Sequence, residues 1–461
     1  MRWLRWTIGL VAILGLALAL QAGLVAFAAY VILGVLFLSR YLAREWIASI
    51  TAERTVHHHP REAGESEEVI VRLTNHSRWP IPWLLVEDIL PVRSIRKPNP
   101  ALVISGSRLR VLFFKPGQTR TIRYTITFAR RGYFAIGPMT TETGDVFGLH
   151  RRHRVLTIPE FVMVYPKLLP ITQFNFASER PIGEIRLANR LFEDPTRTAG
   201  VRPYVYGDPL QRVHWRATAR TGQLHSRIYE PTSLAGATVL IDFHEEGYPQ
   251  RGEPYRSELA VTAATALSYA VSVLNQQVGL ASNGRDAVDR IRVETLSAAD
   301  RPATAEFATR LAAREGFELK ENDNRLNPVV VPTRRGLDQF QQIREPLARL
   351  ELTNGMTFDR LVLEMLPRLP RDATVICLLP RVPVETSLAL GHLRRQGFAV
   401  SVLLIGLADD GSDARVVAAG RLLAEGIRDV RFVNTETELM AIGDRSMMPT
   451  PSEYGVSAAL A

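Results

Sequence analysis

Charged residues are absent from Thr7 to Ser39, an apolar run of 33 positions. As one straight helix it would be about 50 Å long, whereas a bilayer core takes about 20 residues. The polar break Gln21-Ala22-Gly23 falls near its middle. The pattern therefore predicts two short spans, about 7–20 and 24–39, within a transmembrane helical hairpin over 1–45. Beyond it the period becomes two. EEVIVRLTN (67–75), RLRVLFF (108–114) and RTIRYTITF (120–128) alternate apolar and polar residues, with turn signals at Asn75-His76-Ser77, Pro91 and Lys115-Pro116-Gly117-Gln118. Short alternating strands at this spacing predict a small antiparallel β-sandwich over 46–170, with Trp79-Pro80-Ile81-Pro82-Trp83 as a loop or bulge tip.

From Ala237 the apolar residues come in continuous runs separated by helical periods. ATVLID, VGLAS, ATVICLL, FAVSVLLIG and DVRFVN read as buried strands. Helices are expected over Tyr255–Leu274, Ala303–Arg314, Arg335–Leu350 and Phe358–Leu366, with an excursion around Leu326–Pro332. Strands alternating with helices imply right-handed crossovers and a mostly parallel sheet, here an α/β domain of Rossmann type over 236–442. The segment 171–235 is a linker or junction, and the Ser-, Pro- and Met-rich tail 443–461 is expected to be disordered.

Charge sharpens the membrane reading. Arg2 and Arg5 flank one end of the apolar run, Arg40 and Arg44 the other. The positive-inside rule then places both ends in the cytoplasm, which needs an even number of spans. A cleaved signal peptide ending at Ala17-Leu18-Ala19 is the rival, but the apolar run continues past it. The net charge of +9 suits an anionic membrane surface or acidic partners. Basic residues scattered without a base-stacking motif argue against nucleic acid. Cys377 is the only cysteine, so there is no internal disulfide and no CxxC metal site. His57-His58-His59 reads as a solvated turn before Pro60.

The densest chemistry lies in YVYGDPLQRVHWRATAR, residues 204–220. Asp208 suits an N-cap and Pro209 the first helical position, predicting a helix from Pro209 to about Arg220. Arg212, Arg216 and Arg220 would then form one stripe at i, i+4 and i+8, which calls for acids or an anion opposite. Trp215 could anchor this helix in a groove. Three roles stay open: a catalytic site with His214 as general base and Asp208 as its orienter, a partner-binding surface presenting the Arg stripe, or a brace between domains. No GxxxxGK[ST] loop and no complete nucleophile–base set accompanies the motif.

The pattern on Tyr204, Gly207, Asp208, Arg212, His214, Trp215, Thr218, Ala219 and Arg220 resembles the central signature of a family of bacterial membrane proteins, domain of unknown function 58 (DUF58). RRGYFAIGPMTTETGDVFGL (130–149) and the later Val164-Tyr165-Pro166 resemble that family's upstream pattern. The resemblance implies a von Willebrand factor A-like α/β domain. Such domains often hold a divalent metal through Asp-x-Ser-x-Ser after the first strand. Here Asp242 is followed by Phe243-His244-Glu245-Glu246, and the later strand ends without an Asp, so neither metal nor cofactor is expected. The resemblance also implies a MoxR-type AAA+ ATPase and a transglutaminase-like membrane protein as partners. The resulting expectation is a multi-pass protein of the bacterial plasma membrane with cytoplasmic soluble domains. It would act as a non-enzymatic interaction or assembly protein; the alternative is a hydrolase or transferase using Asp208 and His214.

Overall fold

A computed structural model describes residues 2–56, 59, 61–95, 99–145, 150–171, 193–204, 213–231, 236–249, 251–292, 306–307, 320–321, 325–371, 373–406 and 412–442. These fall into two units. One comprises 1–167 with 286–324 and 348–350; the other takes 168–285, 325–347 and 351–461. His57, His58 and the tail 443–461 lie outside the described residues.

The N-terminal unit begins with two helices in mutual contact, α1 (Arg2–Ala19) and α2 (Gly23–Ala48), joined at Leu20–Ala22. Among the described residues, α2 is the one helix long and apolar enough to cross a bilayer; α1 adds the shorter apolar stretch Ile8–Ala19. Large apolar side chains on both helices are bare, with Leu24 85%, Phe27 70% and Ile8 60% exposed. The last turns of α2 differ. Ala43, Trp46 and Ile47 are buried in the β-module, and Ser49 leads directly into β1 (Ile50–Thr55). Arg154 closes this helix end, donating to the carbonyls of Ile47, Ala48 and Ile50 at 2.7, 2.7 and 3.2 Å. It thereby satisfies acceptors that a helix terminus leaves open. The Ser39 hydroxyl donates to the Asp145 carboxylate at 2.6 Å.

The β-module contains β2 (Arg61–Glu62), β3 (Ser66–Asn75), β4 (Ile81–Asp88), β5 (Leu102–Gly106), β6 (Leu109–Phe114), β7 (Thr119–Phe128), β8 (Gly132–Ile136), β9 (Met139–Gly144), β10 (Arg151–Val155) and β11 (Glu160–Tyr165). One antiparallel sheet runs β1-β3-β7-β5. A second runs β10-β9-β4-β6, with the short strand Glu306–Phe307 beside β10. A small third sheet is β2-β11-β8. Alternation works as expected in β3, which buries Val69, Val71 and Leu73, and in β7, which buries Ile122, Tyr124, Ile126 and Phe128. The expected helix over Ala303–Arg314 is overturned at Glu306–Phe307, because β10 recruits these residues into its ladder. In β6 the apolar residues do not all turn inward. Phe114 is buried, while Leu109, Val111 and Phe113 stand on the outer face.

The C-terminal unit holds the antiparallel pair β12 (Glu193–Pro203) and β13 (His225–Pro231), with α3 (Trp215–Thr221) between them. Then follow β14 (Gly236–Ile241), α4 (Tyr255–Val273), β15 (Gln277–Ser282), β16 (Val329–Arg334), α5 (Leu337–Arg349), α6 (Phe358–Met365), β17 (Ala373–Leu379), α7 (Val384–Arg395), β18 (Ala399–Ile405), α8 (Ser412–Ala424), β19 (Val430–Val433) and α9 (Glu436–Met440). The sheet order is β16-β15-β14-β17-β18-β19. Its strands are parallel except β16, which runs antiparallel at the edge. The expected excursion at Leu326–Pro332 thus contributes to an edge strand: Val329–Val331 pair with Ser282–Leu280. Every residue of β14 is buried, as both faces of a covered parallel sheet require.

Candidate functional site

Two places in the C-terminal unit carry polar chemistry. The first is the signature segment. Of its marked residues, Gly207, Asp208 and Arg212 lie outside the described residues. Tyr204 ends β12 and its N–H donates to Leu224 O at 2.8 Å. The helix expected from Pro209 starts instead at Trp215, with His214 rather than Asp208 as its N-cap. Val213 is buried and bridges Ser226, and the His214 N–H donates to His225 O at 2.8 Å. Pairing with β13 therefore holds 213–214 out of any helix. Of the three Arg residues expected to form one stripe, Arg216 and Arg220 share α3, and Arg212 lies outside the described residues.

The polar groups of this segment serve its own backbone. His214 Nδ1 accepts the Ala217 N–H at 3.0 Å, and Thr218 Oγ1 accepts the His225 N–H at 3.1 Å. Gly222, at φ +71, closes the helix in the left-handed conformation glycine favours. What α3 presents outward is apolar and basic. Trp215 is 67% exposed rather than seated in a groove, and Arg216 and Arg220 are exposed beside it. Among the described residues, neither of these Arg side chains has an acid partner.

The second place is the C-terminal edge of the parallel sheet. The chain reverses direction across the sheet between β14 and β17, and open α/β sheets bind ligands in the crevice at such a point. Here its own residues fill that crevice. A Cβ on Gly247 would stand 2.4 Å from Pro380 Cγ, so the loop after β14 lies directly on the loop after β17. Phe243 packs against Tyr248 at 5.4 Å between ring centres, and Tyr248 OH donates to Asp242 O at 2.8 Å. Glu246 pairs with Arg381 across the top.

Asp242 is buried beneath this lid. Its Oδ1 accepts Asn283 Nδ2–H at 2.9 Å and the His244 N–H at 3.1 Å. Asn283 Oδ1 in turn accepts the Phe243 N–H at 2.7 Å. Burial pushes the Asp242 carboxyl above the ordinary carboxylate range; the Asn283 bond, the His244 N–H and charge, and Arg381 offset this in part. Among the described residues, no three His, Cys, Asp or Glu stand together as metal ligands. Asn283 lies 41 residues beyond Asp242, and no spacing signal in the sequence pairs the two.

The raised Asp242 pKa has a pH consequence. Above its ordinary value of 3.8, the folded carboxyl keeps a proton that the unfolded chain has released. This group's contribution to stability therefore falls as pH rises from 3.8 through the folded-state pKa. Asp242→Asn retains the acceptor for Asn283 and His244 without the ionisation. Its thermal midpoint relative to wild type is expected to rise as pH increases above the ordinary carboxylate value; differential scanning fluorimetry over a pH series checks it.

Comparison with solved structures returns low overall similarity. A von Willebrand factor type A protein from Catenulispora acidiphila aligns with TM-score 0.24 and 12% identity, over 47% of this chain and 42% of that one. The ASH / PapD-like domain of human CEP192 aligns with TM-score 0.18 and 14% identity, over 25% of this chain and 82% of that one. In sequence, the chain is 24% identical over 252 residues to the Uncharacterized protein YeaD of Bacillus subtilis (strain 168). That match takes in 54% of this chain and 58% of the relative's length. Residues 200–330, which include α3 and its caps, β14 and the Asp242–Asn283 pair, match the family model described as Protein of unknown function DUF58.

Proposed function

We propose that the chain is a bacterial plasma-membrane protein held by a two-span helical hairpin, with both folded units in the cytoplasm. It acts as a non-enzymatic interaction or assembly protein for a MoxR-type AAA+ ATPase. The bare apolar surface of α1 and α2 supports the anchor, since apolar patches of this extent are out of place in water. The order of the doubly wound sheet is compatible with a von Willebrand factor A-like domain. A transglutaminase-like membrane protein is the second partner that the family resemblance implies.

The observation that carries the interaction reading is the outward face of α3. An exposed Trp flanked by two Arg residues, on a helix capped at both ends, has the composition of a binding hot spot. Its charge selects an acidic partner surface. The brace reading would need acids of this chain opposite Arg216 and Arg220. The catalytic reading would need a free imidazole lone pair on His214; Nδ1 spends its own on the Ala217 N–H, which leaves Nε2 as the protonated nitrogen of the neutral ring.

Two substitutions separate these readings in co-purification from detergent-solubilised membranes. Arg216→Glu with Arg220→Glu is expected to lose the ATPase while the fold, read by circular dichroism, is kept. If that variant unfolds, the brace reading wins. His214→Asn keeps an N-cap acceptor and removes the imidazole, so it is expected to retain both partner and cellular function. Loss of function with fold and partner intact would favour the hydrolase or transferase. His214→Ala removes the cap and is expected to cost about 1 kcal/mol, seen as faster amide exchange across α3.

A further inference from the structure

Beside its core the β-module carries an exposed apolar surface. An open groove of about 260 Å³ lies between α2 and the start of β4, lined by Leu42, Trp46, Trp79, Pro80, Pro82 and Phe113. Trp79 is 52% and Phe113 44% exposed, and Val111, two residues along β6 on the same face, is 66% exposed. The groove is walled on one side by α2 itself, so it continues the bare apolar surface of that helix.

Its depth along the helix is informative. Leu42 and Trp46 follow Ser39, the last residue of the charge-free run, by three and seven positions. At 1.5 Å per residue they lie about 4.5 and 10.5 Å beyond it. The headgroup layer on each side of a bilayer is of that order, about 5–10 Å, and Trp is enriched there. Exposed Arg44, Arg78 and Lys115 adjoin the groove in sequence, giving the charge that lipid phosphates attract.

We propose that this groove is a lipid seat: lipids of the cytoplasmic leaflet fill it at the depth of their glycerol and headgroup region, and Trp79 and Phe113 enter the bilayer interface beside the span. The seat rests on the reading of α2 as a membrane anchor. It goes further in placing the β-module against the lipid surface rather than on a free tether, with the emerging helix end fixed by Arg154 and Ser39.

The chain's own cysteine allows a direct test. Cys377 is fully buried, so a single introduced cysteine on the full-length protein can be labelled with an environment-sensitive fluorophore. The labelled protein is reconstituted in phosphatidylcholine–phosphatidylglycerol vesicles carrying lipids with a shallow nitroxide quencher. Trp79→Cys is the test position, Phe27→Cys on α2 the anchor control and Ile158→Cys the distant control. Ile158 is also an exposed apolar residue, but its carbonyl meets Arg54 at 3.2 Å. Arg54 is four residues along β1 from Ile50, about 13 Å at strand rise.

The seat predicts strong quenching and a blue-shifted emission at position 79, near that at position 27, with emission at 158 like that in water. If position 27 is quenched while 79 behaves like 158, the seat is wrong and the anchor stands. If position 27 is itself unquenched, the anchor reading fails first. Trp79→Ser with Phe113→Ser should also lower the quenching of a probe at Val111→Cys severalfold; unchanged quenching would overturn the seat.

Discussion

On the proposed anchoring by α2, Phe27→Asp combined with Val31→Asp is expected to drive the chain out of the membrane. Both side chains are exposed on α2, one helical turn apart, at 70% and 48%. Val31 lies at the centre of the 24–39 span, where an Asp costs about 2.5–3.5 kcal/mol on insertion scales; the Asp at position 27, nearer the end of the span, adds a smaller cost. Together they are enough to turn a predominantly inserted helix into a predominantly excluded one. Carbonate-washed membranes should retain wild type and lose the variant to the soluble or aggregated fraction. The β-module core does not depend on these positions. Ser39 and Ala43 onward, which dock into it, are untouched.

Arg54→Met is expected to be the most damaging single substitution in the β-module, at about 3–5 kcal/mol. Arg54 and Asp88 pair with side chains only 1% and 0% exposed. Arg54 Nε donates to Asp88 Oδ2 at 3.2 Å, and its Nη1 donates to Ile136 O at 2.9 Å. Tyr124 OH donates to the same carboxylate at 2.7 Å. The network ties β1 to β4, β7 and β8 through one point. Burial pushes the Asp88 carboxyl up, and the Arg54 charge is the largest influence pulling it back. Removing Arg54 takes its donors away from the buried Asp88 carboxyl and from the buried Ile136 carbonyl. Asp88→Asn in the Arg54→Met background should recover part of the loss, because it removes the uncompensated acid. Urea unfolding of the single and double variants in detergent measures both effects. A loss below about 1 kcal/mol for Arg54→Met would mean that water or Arg108 replaces it.

The architecture was legible wherever one physical requirement acted alone. β3 and β7 alternate cleanly because one face meets the core. β14 and β17 read as continuous apolar runs because both faces are covered. Errors arose where tertiary pairing competed with local signals. Asp208-Pro209 carries helix-start chemistry, yet Val213 and His214 are held by β13 through Ser226 and His225. Local capping rules do not see that ladder. Leu326–Pro332 resembled an excursion because β16 is short, contains Pro332 and sits at a sheet edge. Glu306–Phe307 joins β10 across about 150 residues of chain.

The candidate sites were legible in residue type more than in role. His214 and Thr218 stood out as chemistry and act as backbone acceptors. Trp215 stood out as an anchor and faces outward. The apolar character of RLRVLFF was plain, but alternation alone could not say that Leu109, Val111 and Phe113 would be the outer face. Trp79 and Pro82 were visible as a loop or bulge tip, while their meeting with Leu42 of α2 needed the fold.

The central claim is that the exposed face of α3 docks a cytoplasmic AAA+ ATPase from a membrane-anchored chain. Its most direct measurement places a photocrosslinking p-benzoylphenylalanine at position 215 and irradiates intact cells expressing the full chain. The account predicts a membrane-associated adduct with a MoxR-type ATPase, lost on Arg216→Glu with Arg220→Glu. An absent adduct, one indifferent to that charge reversal, or one formed only with proteins on the far side of the membrane would contradict it.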